Sequence, residues 1–150
     1  MAVVNRTLDA SEQRKIISNS IASTSFLISG VTNHIGLVPW PGVIEAGQIA
    51  VEGVSGSPAY TLKVARFIAG TGFTVIVVGS SNAPVTFGTS GGMASGLSLP
   101  AAGSTLLNVL ANDLLILQTL GGTGAAAEKL SVSVVIRPIQ DIKTHFGLSV

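Results

Sequence analysis

From Ser23 onward the chain is a succession of short runs rich in Val, Ile, Leu, Ser and Thr, each closed by Gly, Pro or Asn. Such punctuation suits strands and their turns and leaves little room for helices of ordinary length. The clearest strand spans 130–137, where Leu130, Val132, Val134 and Ile136 face one way and Ser131, Ser133, Val135 and Arg137 the other. Segment 60–68 repeats the pattern, with Tyr60, Leu62 and Val64 opposed to Thr61, Lys63 and Ala65. Further strands are expected at 25–29, 33–38, 43–51, 73–78, 84–87, 93–99, 105–110 and 114–119. Roughly eight to ten short strands with frequent turns predict a mainly β chain, an antiparallel β-sandwich of jelly-roll-like form.

Two segments read less simply. The apolar stretch 106–120 has a helical alternative, but Asn112-Asp113 is a good turn dipeptide and Gly121-Gly122 closes the run, which predicts a hairpin. At the N-terminus, Asp9 followed by Glu12 has the form of a capping box, and Ile17 and Ile21 lie one helical turn apart. The expectation is a short helix over 10–21, too short to be stable alone, within an N-terminal helical arm (1–22) attached to a β-sandwich domain (23–150).

Only 10% of the residues are charged, against about 25% in ordinary soluble domains. Ser, Thr, Asn, Gly and Ala take the place of the missing charges, and such a surface can be covered without the desolvation cost of a buried Lys or Glu. The composition therefore points to an assembly. At 150 residues one domain suffices, and its core needs no disulfide or metal. With no cysteine there is no thiolate chemistry. The net charge is +1 and the eight Lys and Arg residues are scattered, so no nucleic acid partner is expected. Charges throughout Met1 to Lys15, and no apolar run approaching about 18 residues, argue against export and against membrane association.

Motifs for chemistry are weak. Gly88-Thr89-Ser90-Gly91-Gly92 has the G-x-S-x-G form, with Asp113 or Asp141 and then His145 in hydrolase order. The residues after it do not read as the helix that a nucleophile elbow requires. Gly122-Thr123-Gly124 begins a dinucleotide-like loop, yet too little chain follows before the next strand for a crossover helix. His34 and His145 have no companion ligands at metal spacing. No enzymatic activity and no cofactor are expected. Trp40, the only tryptophan, stands between Pro39 and Pro41 and fits either a cap on the core or an interface anchor.

The segments Asp9 to Lys15 (DASEQRK), Val64 to Phe67 (VARF), Phe87 to Gly91 (FGTSG), Gly103 to Val109 (GSTLLNV) and Val134 to Ile142 (VVIRPIQDI) together resemble the capsid decoration proteins of tailed bacteriophages, also called cement or auxiliary head proteins. The resemblance spans most of the chain and rests on fold-like phrases rather than a catalytic signature. It implies a structural virion protein on the outer surface of the capsid, a homo-oligomer (dimer or trimer) that bridges and stabilises subunits of the major capsid protein. Under that reading Arg14, Ile17, Ile21 and Trp40 are the expected capsid or subunit contacts. The alternative is a head-fibre or lectin-like module of the same fold that binds host surface glycans through exposed loops.

Overall fold

The computed structural model describes residues 14–22, 32–70, 72–77, 85–86, 93–120 and 127–139. They form two antiparallel sheets of five strands each. In the first, β1 (Lys15–Ala22), β10 (Lys129–Pro138), β3 (Gly42–Glu52) and β7 (Met93–Gly96) lie in that order, and β8 (Asn108–Val109) also pairs with β3. In the second, β2 (Thr32–Leu37), β9 (Leu114–Leu120), β4 (Ala59–Ile68) and β5 (Gly72–Val77) follow one another, and β6 (Val85–Thr86) pairs with β4. The chain is mainly β and a sandwich, as its alternation demands.

The core lies between the inner faces. Leu130, Val132, Val134 and Ile136 of β10 are all buried, as are Tyr60, Leu62 and Val64 of β4 and Leu115 and Leu117 of β9. Each such aliphatic side chain contributes about 1.5–3 kcal/mol on burial. Burial pushes the Tyr60 phenol up to about 12, so it stays neutral there.

A bulge sets the phase of β3. Ile136 pairs with Ile44 and Val135 with Ala46, so Glu45 is the extra residue. Ile44 is buried on one side of it and Gly47, Ile49 and Val51 on the other. Without the extra residue one of these sets would face solvent. Gly42, the first residue of β3, has no room for a side chain: a Cβ would stand 2.6 Å from the Arg137 carbonyl oxygen.

Two expectations are corrected. Residues 15–22 are not helical; they form β1, paired along its whole length with β10 from Lys15↔Ile136 to Ala22↔Lys129. The spacing that suggested a helix, Ile17 to Ile21, is even, so it also places both residues on one strand face. Lys-Ile-Ile-Ser-Asn-Ser is also poor helix material because β-branched and short polar residues predominate. The arm and the domain are therefore continuous from residue 15, while 10–13 lie outside the described residues.

The second correction concerns 105–120. Thr105–Leu107 is a short 3-10 turn capped by Ser104, β8 joins β3 in the first sheet and β9 lies in the second. The turn at Asn112, with φ of 69°, is real, but it carries the chain across the sandwich instead of closing a hairpin. The strand expected at 25–29 lies outside the described residues.

Candidate functional site

The β2–β3, β4–β5 and β8–β9 connections, the start of β1 and the end of β10 all meet at one end of the sandwich. Six large apolar side chains are exposed among the described residues: Ile16, Leu37, Phe67, Ile68, Leu110 and Ile139. Five of them sit on this end. The sixth, Ile16, is 61% exposed on the first sheet one residue in from it, opposite Val135. Scattered exposed apolar residues are ordinary, whereas a cluster on one end marks a surface made to be covered.

The end is held in shape by Asp113, which is 1% exposed. Its carboxylate accepts from Arg66 Nε at 2.9 Å and Nη2 at 2.7 Å, and from the Leu110 amide at 2.7 Å. Its carbonyl accepts from the Val38 amide and the Asn112 amide donates to the Val38 carbonyl, both at 2.8 Å. Arg66 thereby ties the 110–113 turn to β4, and the Val38 backbone bonds tie it to the end of β2. Hydrogen bonding to Asp113, set against partial burial, holds the Arg66 guanidinium charged. Asp113, one of the acids considered for a hydrolase triad, is thus committed to this turn. Ser90, Asp141 and His145 lie outside the described residues, as does the Gly122-Thr123-Gly124 loop.

Among the described residues the same end carries more cations than acids. Arg14, Lys15, Arg66 and Arg137 stand there against Glu45 and Asp113, while Lys129 stands with Glu52 and Glu128 at the opposite end. Arg14 Nε and Arg137 Nε both donate to Glu45, at 2.5 and 2.8 Å. The Arg14 hydrogen bond does most to hold the Glu45 carboxyl below its usual range; partial burial pushes the other way, and Arg137 adds to the lowering. A carboxylate lowered in the folded chain contributes stability above its unfolded pKa and loses it as pH falls through the folded value. Glu45→Gln is therefore expected to be less stable than wild type near neutrality by roughly 0.5–1 kcal/mol. The two should converge on acidification below the carboxylate range, as followed by thermal unfolding across pH; a constant gap would refute the assignment.

Between these ion pairs the outer face of the first sheet is uncharged. Ser18, Ser20, Gln48, Ala50, Ser131 and Ser133 line a shallow trough of about 370 Å³, with Ser18 opposite Ser133 and Ser20 opposite Ser131. The Ser20 and Ser131 hydroxyls are 3.1 Å apart. Among the described residues no aromatic side chain lines the trough, so they supply no stacking platform for a sugar ring there.

The residues singled out from the sequence divide. Arg14 is exposed and belongs to the Glu45 cluster beside the apolar end. Trp40 is half-buried in the β2–β3 connection at that end, its indole Nε1 buried without a hydrogen-bond partner among the described residues. Ile17 is corrected: it is buried in the core over Gly36, where its Cγ2 stands 2.7 Å from the position of a Cβ. It cannot be a contact residue. Ile21 is on β1 opposite Leu130, and its side chain lies outside the described residues. His34 is exposed on β2, and its carbonyl accepts from Asn19 Nδ2 at 2.9 Å, joining the two sheet edges. Among the described residues no group of acidic or histidine side chains is placed to hold a metal, and no helix is long and apolar enough to cross a membrane.

No protein-family model matches this chain, and no curated protein matches it.

Proposed function

We propose that the chain is a structural virion protein, a capsid decoration protein that seats its apolar, cationic end on the outer surface of the shell and bridges subunits of the major capsid protein as a homo-oligomer. The observation that carries this reading is the gathering of Leu37, Phe67, Ile68, Leu110 and Ile139 at one end of the sandwich. Burying that end against a partner supplies the hydrophobic contribution, and Arg14, Lys15 and Arg137 around it orient the approach to a surface of opposite charge. The uncharged face of β1, β10 and β3 suits the contact between copies, because Ser and Ala there permit close approach without stranding a charge. Many such contacts on a symmetric shell add through multivalency, so no single interface has to be strong.

The strand order β1-β10-β3-β7 against β2-β9-β4-β5 supports a jelly-roll wrap, an architecture used by both capsid and lectin domains. It favours neither alone. The apolar end favours protein contact over glycan binding, since a sugar site calls for an aromatic platform and four of the five exposed apolar side chains there, Leu37, Ile68, Leu110 and Ile139, are aliphatic.

The experiment is co-sedimentation of the purified chain with capsids that lack it, with the free mass measured by light scattering. Saturable binding at a copy number set by the capsid symmetry, from an oligomer in solution, is expected. A monomer that does not sediment with capsids would overturn the reading and put glycan binding first.

A further inference from the structure

β7 pairs with β3 along Gln48 to Val51 and β8 pairs with it at Gly42 and Val43. The stretch of β3 between them is bordered instead by segment 97–107. Leu97 anchors that segment, its amide donating to the Gly47 carbonyl at 2.8 Å and its side chain lying where a Cβ on Gly47 would be. Leu107 anchors the other end in the core. Between the two anchors the segment stands off from β3 and leaves a cleft of about 320 Å³, walled by Val43, Leu99, Pro100 and Leu107, with Glu45 and Arg137 at its mouth.

The mouth has a charge to offer. Arg137, with its side chain 43% exposed, donates Nε to Glu45. Among the described residues its two Nη groups make no bond. Arg14 shares the same carboxylate, so Glu45 is engaged from two sides and the Arg137 Nη groups face outward from the pair. A carboxylate arriving there would take charge-assisted hydrogen bonds from Arg137 without displacing Glu45. An apolar cleft beside an under-used arginine selects an apolar side chain with an acidic neighbour.

We propose that this cleft is a binding site for an extended peptide segment that lodges a large apolar side chain among Val43, Leu99, Pro100 and Leu107 and sets a carboxylate, one or two residues away, on Arg137. The identity of the partner, a segment of the major capsid protein, rests on the capsid reading; the chemistry of the cleft does not.

The test needs no capsid. The full chain, labelled with 15N, is titrated by NMR with acetyl-Leu-Glu-amide and with its neutral twin acetyl-Leu-Gln-amide at millimolar concentration. Saturable shifts at the Val43, Ala102 and Gly103 amides are expected, with affinity for the Glu peptide about fivefold higher. Arg137→Gln should remove the preference. Ala102→Trp, which fills the cleft from an exposed turn position and should leave the fold intact by circular dichroism, should remove the shifts. Equal affinity for the two peptides in wild type, absence of shifts, or shifts unaltered in Ala102→Trp would overturn the inference. Failure of the wild-type chain to bind capsids would contradict the capsid reading alone, because the titration decides the cleft independently.

Discussion

Arg66→Ala is expected to lose about 3–5 kcal/mol of folding stability, more than any other single substitution of a charged residue described above. The reason is an asymmetry of burial. The Asp113 side chain is 2% exposed and the Arg66 side chain 28%. Removing the arginine leaves a carboxylate in the interior with only the Leu110 amide to satisfy it, and a buried charge without its partner is among the most destabilising defects a core can carry. Removing the acid is milder, since Arg66 reaches water: Asp113→Asn should cost roughly 1–3 kcal/mol. Total stability of a domain is only about 5–15 kcal/mol, so Arg66→Ala approaches the threshold of folding. Urea unfolding of the two variants checks this, read from the midpoints with the slope unchanged. A loss below about 1 kcal/mol for Arg66→Ala, or the reverse order of the two variants, would mean that the pair does not anchor the 110–113 turn.

The second large effect is on binding. The triple variant Leu37→Ser, Phe67→Ser, Leu110→Ser should weaken capsid binding about 100-fold or more, equivalent to about 2.7 kcal/mol, while its melting temperature stays near that of wild type. These residues are 59%, 63% and 48% exposed, and polar replacements at such surface positions usually move stability by about 0.5 kcal/mol or less. On a partner surface the same groups would be fully buried, where each is worth about 1.5–3 kcal/mol before the costs of association. A quantity that falls in the bound state and not in the free one separates an interface from a core. A matched set on the opposite end, such as Glu52→Gln with Lys129→Gln, which removes an exposed ion pair, should leave binding unchanged.

Much of the architecture was legible because a half-buried strand writes its own signature. The alternation over 130–137 and 60–68 marked the inner faces of β10 and β4 correctly, with one residue added at each end of the former and at the start of the latter. What failed did so where two structures share a signal. Ile17 and Ile21 stand at a separation common to helix and strand, and the capping pattern at Asp9 and Glu12 tipped the reading toward a helix. Asn112 was read correctly as a turn, but turn chemistry says that the chain reverses and not which sheet it reverses into. The bulge at Glu45 breaks the alternation of β3 in the middle, so its two halves cannot be phased without the partner strand.

The candidate site was less legible than the fold. Leu37, the pair Phe67 and Ile68, Leu110 and Ile139 come from four separate parts of the sequence. Only the convergence of several strand ends reveals them as one surface. Arg66 and Asp113, 47 positions apart, carry no mutual signal in the sequence. The low charge density of the sequence has its counterpart in the uncharged outer face of β1, β10 and β3. Truncation of residues 1–22, the natural test of a detachable arm, would remove β1 and with it one edge of the first sheet; a deletion that stops at residue 13 retains every described strand.

Whether the apolar end seats on a capsid is decided by sedimenting capsids that lack the protein with wild-type chain and with the Leu37, Phe67 and Leu110 triple variant in parallel. Wild type is predicted to saturate at a copy number fixed by the symmetry of the shell, and the triple variant to remain in the supernatant at the same concentration. Sedimentation of neither protein, or equal sedimentation of both, would contradict that seating.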